Sequence, residues 1–339
     1  MMKLFNYFFI FFATFLGICS CQQNKPVDLS YVKIQGFAQG TTWHISYKSF
    51  NNENLEKQVD SILRVFDNSL SAYNSISQLT KINNNDTSVI VDKYFKNILE
   101  ESKFLYNLSN HAFDPTISPL VSAWGFSKHT NLHVPSQKEI DSILQFVGLD
   151  KVSIVDNKVV KTDPRISFSF NANAQGYSVD VVCDWFKENG YTDYLVEIGG
   201  ETRSCGLNSI GEPWRVGIER PIDGVTENDR VIQTVVPLSG KSLCTSGNYR
   251  NYFIEDGIKY SHELDPNTGY PKRDSLLSVA IVANTAVFAD GLATAVMVLG
   301  LDKGYSLVDS LPDTEGYFIY AKSNGKFDII STKGFQTVE

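Results

Sequence analysis

In the stretch YSHELDPNTGYP, residues 260 to 271, His262 stands beside Glu263 and just before an Asp-Pro-Asn-Thr-Gly run that must bend the chain sharply. An imidazole titrates near neutrality, so a histidine held still by such a turn is suited to general-base work. A second group capable of chemistry lies in VFADGLATAVMVLG, where Asp290 and Thr294 are four residues apart and share one face of an almost wholly apolar helix. An ionised Asp in such a helix must be paired, exposed or bound to a cation, because burying it alone costs several kcal/mol. A hard cation such as Mg²⁺ accepts carboxylate and hydroxyl oxygens, and this pair offers both. The alternative is an Asp290 that bonds a loop amide, with Thr294 simply packed.

Other stretches are less specific. NANAQGYSVD, 171 to 180, is small and polar before a helix, so its amides either face an anion or form an ordinary cap. EIGGETR carries Gly199 and Gly200 after a buried strand, which permits close backbone approach to a ligand or merely a tight turn. Tyr73 lies in a serine-flanked loop after a helix and reads as a packing residue or a stacking platform. In HAFDPTISPLVSAWGF, loop aromatics such as Trp124 near Asp114 would, if exposed, suit a flat heteroaromatic ligand. His111, His129 and His133 lack metal-ligand spacing and read as surface residues. GKS at 240 to 242 is not a phosphate loop, since the glycine required five residues earlier is Val235.

These residues must be positioned by a mixture of helices and strands. Apolar residues recur at helical spacing over 53–70 and 92–110, and SQKEIDSILQFVG opens as a capping box at Ser136 and Glu139 and closes at Gly148. Further helices are expected over 176–190 and in the Asp290 segment, and YVKIQGFAQGTTWHISYKS alternates as a hairpin or bulged strand. Strand patterns follow at 194–198, 214–220, 231–238, 251–260 and 276–283. Without strict alternation of strand and helix the class is α+β, not a doubly wound sheet.

The chain has 339 residues, 42% of them hydrophobic and 20% charged, which is the composition of a soluble globular protein. A formal net charge of −8 argues against a nucleic-acid binder, so an anionic ligand has to be met locally by amides, a few side chains or a cation. MMKLFNYFFIFFATFLGICSC has the layout of an export signal, and Ile18-Cys19-Ser20-Cys21 resembles a bacterial lipobox with Cys21 as the lipidated residue. The organisation expected is a signal peptide over 1–20, a lipidated tether over 21–30 and one domain over 31–339. Cys183, Cys205 and Cys244 fit no zinc spacing, and Cys183 reads as a buried small hydrophobe.

In their order along the chain, GTTW (40–43), SAYNSISQLTKIN (71–83), FDPTISPLVSAWGF (113–126), NANAQGYSVD, YLVEIGGE (194–201), WRVGIERP (214–221), CTSGNYRNYF (244–253), SHELDPNTGYP and ADGLATAVMVLG resemble the ApbE family of FAD:protein FMN transferases. The resemblance implies a single α+β, T-fold-like domain with mixed or antiparallel sheets and helices around a central FAD cleft. It implies a Mg²⁺-dependent enzyme that uses FAD as substrate, leaves FMN esterified to a threonine of an acceptor protein and releases AMP. Acceptors in the family are exported or membrane-anchored subunits of respiratory NADH:quinone oxidoreductase and Rnf-type complexes, consistent with a periplasm-facing lipoprotein. FAD diphosphatase activity is the alternative reaction, and a non-catalytic flavin-binding lipoprotein the alternative class.

By position, the resemblance assigns Asp290, Thr294 and the Ala172 carbonyl to the metal, His262 to catalysis and Tyr73 to stacking on the isoalloxazine ring. It extends FAD contacts to Gln39, Asp114, Thr116, Trp124, Ser169, Gln175, Gly199, Gly200, Ser246 and Leu264. Many members read Asp-Leu-Gly-Gly-Ile-Ala-Lys-Gly where this chain has Ser169 to Gly176, so the Asp and Lys side chains are replaced by Ser169 and Gln175. Gln39 likewise stands where a Met often precedes Gly-Thr.

Overall fold

The computed structural model describes residues 30–127, 132–224 and 229–338. The export signal, Cys21 and His129 lie outside the described residues.

In chain order the elements are β1 (Ser30–Ala38), β2 (Thr41–Ser49), α1 (Glu56–Leu70), α2 (Gln78–Asn83), α3 (Lys93–Leu108), α4 (Ser118–Ala123), α5 (Gln137–Leu144), β3 (Val152–Val155) and β4 (Lys158–Lys161). Then come α6 (Ala174–Glu188), β5 (Tyr194–Ile198), β6 (Glu201–Cys205), β7 (Trp214–Glu219), β8 (Ile232–Leu238), β9 (Ser242–Gly247), β10 (Tyr252–Glu255) and β11 (Ile258–Ser261). The chain closes with β12 (Leu276–Ala283), α7 (Ala286–Leu299), α8 (Leu301–Asp309), β13 (Glu315–Ala321) and β14 (Phe327–Ser331).

Eight strands form one sheet in the order β1-β2-β5-β6-β9-β12-β13-β14, antiparallel at every junction. The expected α+β class holds. The alternation of YVKIQGFAQGTTWHISYKS resolves as a hairpin whose two turn residues, Gln39 and Gly40, both have positive φ (54° and 76°), the handedness that matches strand twist. The pattern over 251–260 is not one strand: Asp256 and Gly257 fold it into the β10–β11 hairpin, again with both φ positive (52° and 76°). Helix α5 stops at Leu144, four residues short of Gly148, although Ser136 caps it as expected by accepting from the Glu139 amide.

Strand β12 shows why the sheet is covered on both sides. Its Val279 and Ile281 face a core built with α6 and α7, while Ala280 faces a second core with Ile218, Val236 and Leu238 of the β7–β8 hairpin. Helix α7 is therefore central, and only Phe288, Thr294 and Leu299 of its residues escape full burial. A helix so enclosed cannot have its first amides capped by water. Asp180 of α6 caps them instead, accepting from the Ala286 and Val287 amides at 2.9 and 2.8 Å. The same carboxylate takes Arg203 Nη1 of β6 at 2.7 Å, so one buried charge ties α6, α7 and the sheet together. All three cysteines among the described residues are free thiols, and Cys183 is buried in the core as expected.

Replacing Asp180 by Ala would leave Arg203 only the longer contact to exposed Asp184, at 3.5 Å, and strand two buried amides. The expected loss is about 3 kcal/mol or more of unfolding free energy, read by urea denaturation. A variant as stable as the parent would show that the α6–α7 crossing is held by packing alone.

Candidate active site

A cavity of about 400 Å³ opens where α7, the start of α6, the end of β9 and the His262 turn converge. It is lined by Tyr73, Asp114, Ser169, Ala172, Gln175, Gly199, Ser246, His262, Leu264, Asp290 and Thr294, eleven of the residues singled out from sequence. Gln39 lies in an adjoining hollow of about 220 Å³ that shares Tyr73, Asn171 and Gln175 with the cavity. Tyr73 is 79% exposed, so the platform reading fits it and core packing does not.

Three residues do not join the lining. Trp124 is fully buried, which corrects the expectation of an exposed loop aromatic. Its indole Nε1 donates to the Gly269 carbonyl at 2.8 Å, so it anchors the turn from behind. The Thr116 hydroxyl donates to Asp114 Oδ1 at 2.6 Å and accepts from the Gly148 amide at 2.7 Å, holding a buried loop. Burial pushes the Asp114 carboxyl up to about 6, against the hydrogen bonds from Thr116 and Leu149. Gly200 forms the β5–β6 turn, its amide bonded to Glu197 Oε1 at 2.6 Å.

The metal-type residues sit at the cavity floor. Gly176 lets α6 approach α7 closely, since a Cβ there would lie 2.3 Å from the Ala286 carbonyl oxygen and 2.7 Å from Asp290 Cβ. Across this contact the Gly176 amide donates to Asp290 Oδ2 at 2.9 Å. The helix-start amide expected to face an anion thus faces a carboxylate of the protein itself. That amide belongs to the first turn, which has no partner within the helix, and the Ala172 carbonyl just before the Asn173 cap receives no backbone hydrogen bond among the described residues. Thr294 Oγ1 lies one turn beyond Asp290, 3.3 Å from Ser246 Oγ.

Electrostatics make the floor costly. Asp290 is buried, and among the described residues no Lys or Arg pairs with it. Burial pushes its carboxyl well up, and neighbouring Glu201 adds to the rise. Glu201 is itself pushed up to about 7 by burial, opposed by a bond with the Cys244 thiol and by the Thr245 amide. Burial also raises Glu263, with His262 pulling it back. A carboxylate, a hydroxyl and an unclaimed carbonyl beside an excess of acidic groups fit a hard divalent cation. No group of three or more His, Cys, Asp or Glu with metal-binding geometry occurs among the described residues.

His262 is fixed by the loop before β10. Its Nδ1 lies 3.2 Å from the Asn251 carbonyl, which can only accept, so Nδ1 carries the proton and Nε2 keeps its lone pair in the neutral ring. Nε2 is 3.5 Å from Glu263 Oε1, and Phe126 packs edge-on with ring centroids 6.4 Å apart. Asp265 does not bond the imidazole. It is spent on the turn, its carboxylate taking the Asn267 amide at 2.8 Å and its carbonyl the Gly269 amide at 2.8 Å.

Glu201, Glu263, Arg250 and Asn251 also reach the cavity wall, and reading the sequence gave none of them a role. The signals were present, since each lies inside or next to a quoted motif, but an acidic residue after Gly-Gly or an Arg in a hairpin loop has no chemistry of its own.

The ApbE family model matches residues 39–318. The chain is 32% identical over 329 residues to an FAD:protein FMN transferase of Vibrio cholerae, covering 93% of this chain and 96% of that protein. An Escherichia coli FAD:protein FMN transferase is 32% identical over 285 residues, 81% of this chain and 80% of that one. Among solved structures, the flavin transferase ApbE from Vibrio cholerae superimposes with a TM-score of 0.80 at 30% identity, covering 91% and 98% of the two chains. The apo flavinyl transferase ApbE of Pseudomonas stutzeri gives 0.79 at 32% identity, covering 90% and 95%.

Trp124→Phe keeps the ring but leaves the buried Gly269 carbonyl without its donor, a loss of about 1–3 kcal/mol. The Gly269 and Asp265 amides should then exchange faster with deuterium, whereas unchanged protection would mean the turn stands without its anchor.

Proposed function

The chain belongs to the ApbE family, and from that premise we propose that it is a Mg²⁺-dependent transferase. It would move FMN from FAD to a threonine of an exported or membrane-anchored acceptor protein and release AMP. One observation carries the reading: His262, Asp290, Thr294 and Tyr73, scattered over more than half the chain, line one cavity. Its volume of about 400 Å³ lies within the usual range for small-molecule sites.

Tyr73 offers an exposed aromatic face for the isoalloxazine ring at the cavity mouth. Asp290, Thr294 and the Ala172 carbonyl would hold the cation, which when bound neutralises diphosphate charge and makes AMP a better leaving group. His262 Nε2 takes the proton of the threonine hydroxyl. The freed oxygen attacks the FMN phosphorus, a new P–O bond forms to threonine, and the P–O bond to AMP breaks. The Asn251 carbonyl holds the ring in the tautomer this needs, and Glu263 stands where it can offset the charge of the imidazolium.

Respiratory subunits of the NADH:quinone oxidoreductase or Rnf type are the acceptors we infer. We also read the chain as a lipoprotein anchored through Cys21. Among the described residues no helix is long and apolar enough to cross a membrane.

Incubating the domain with FAD, Mg²⁺ and a threonine-bearing acceptor should give flavin fluorescence on denatured acceptor and stoichiometric AMP. AMP without labelled acceptor would mean hydrolysis, and neither product would leave a flavin carrier. Asp290→Ala should abolish transfer at any practical Mg²⁺ level. His262→Ala should cut turnover by about a hundredfold or more with little change in FAD affinity, and equal losses in both would make it a binding residue. Cys21→Ser should shift the protein from membrane to soluble fractions, and continued membrane retention would rule out the anchor.

A further inference from the structure

The described residues lining the cavity include four carboxyl groups, on Asp114, Glu201, Glu263 and Asp290, and one permanent cation, on Arg250. A dinucleotide diphosphate brings at least two more negative charges into that space. A divalent ion at Asp290 answers part of this repulsion, and a fixed cation on the wall answers more. Tyr73, Asn171 and Gln175, none of them charged, are shared with the hollow that holds Gln39 and the carboxyl of Asp67, and Arg250 is not part of that hollow. The cavity therefore has an aromatic border with the hollow and, away from it, a charged end.

Arg250 is built into the charged end. It directly precedes Asn251, whose carbonyl accepts both the His262 amide at 3.0 Å and His262 Nδ1 at 3.2 Å. One backbone segment thus sets the guanidinium and the imidazole on adjoining walls. From outside, Glu219 Oε2 holds Arg250 Nη2, and the guanidinium carbon stands 5.5 Å from the centre of the Tyr249 ring. The side chain remains 47% exposed. Glu219 takes Nη2 and the Tyr249 hydroxyl also bonds the guanidinium, so of its five N–H donors others remain for a ligand. The charge is felt at the cavity floor, where Arg250 opposes the rise of the Glu201 carboxyl.

We propose that Arg250 is a substrate-binding residue that takes the diphosphate oxygens of FAD, fixing the phosphate end of the dinucleotide beside His262. The inference rests on the FAD reading above. A planar fork suits two phosphate oxygens better than an ammonium would. Since charge builds on the leaving phosphate as the P–O bond breaks, the contact strengthens along the reaction.

Binding of FAD, ADP and riboflavin to the full domain in Mg²⁺ buffer, followed by flavin fluorescence and calorimetry, tests this. Arg250→Ala should weaken FAD and ADP by about ten- to a hundredfold and riboflavin by less than about twofold. Arg250→Lys should recover part of the loss. Glu219→Gln frees the guanidinium from its outer partner and should keep FAD affinity within about twofold. Equal losses for FAD and riboflavin in Arg250→Ala, or the same loss in Glu219→Gln, would overturn the proposal in favour of a structural role. Unchanged FAD affinity in Arg250→Ala would overturn it while leaving the transferase reading intact. A parent protein that binds no FAD would overturn both.

Discussion

The site depends on a carboxylate buried at a helix crossing. Asp290 lies on α7, enclosed by the sheet on one side and α6 on the other, and among the described residues its one hydrogen bond comes from the Gly176 amide. That bond requires the helices to approach closer than any side chain at residue 176 would allow. The Ala172 carbonyl, one residue before the cap of α6, takes no backbone hydrogen bond among the described residues. A carboxylate oriented by one amide and a carbonyl without a backbone partner thus line the same cavity. Asp180, one turn further along α6, fixes the crossing by capping α7, so the same pair of helices carries both the support and the site.

The second half of the site is held independently. His262 hangs from the Asn251 carbonyl and is followed by a turn whose hydrogen bonds are closed by Asp265 and whose back is pinned by Trp124. The turn belongs to a separate apolar cluster, with Leu120, Trp124, Phe126, Ile140 and Leu264. His262 and the Asp290–Thr294 pair thus sit on different cores and meet across the cavity. Such a division lets a substrate spanning both halves report on their separation, as expected where in-line geometry is required.

Much of this was legible in the residues. Asp290 and Thr294 at helical spacing in an apolar run predicted a carboxylate with no good place to go, and the structure puts it in that position. The helix expected over 176–190 runs over Ala174–Glu188, and of the hairpin or bulged strand expected around Gly40 the structure forms the hairpin. What sequence could not supply were contacts between distant segments. Trp124 looked like a ligand platform because a loop aromatic has no period to declare it buried, and only the Gly269 carbonyl explains it. Strand β9, which carries Ser246 to the cavity, hid in a Gly-Lys-Ser stretch better known for phosphate loops. Lys241 there is bonded to Asn284 and the Asp313 carbonyl, away from the cavity.

The departures at Ser169 and Gln175 become intelligible as a pair. Against the common family pattern an acid and a base are both absent, so the charge of this wall is unchanged although each contact is altered. Both residues face the cavity, and the Gln175 amide packs over Gly199, where an added Cβ would stand 2.5 Å from its Nε2. A neutral amide in that confined place needs less solvation than the ammonium it replaces. With Ser169 and Gln175 both uncharged, Arg250 is the one permanent cation among the described residues lining the cavity, so a diphosphate entering it has that guanidinium to meet.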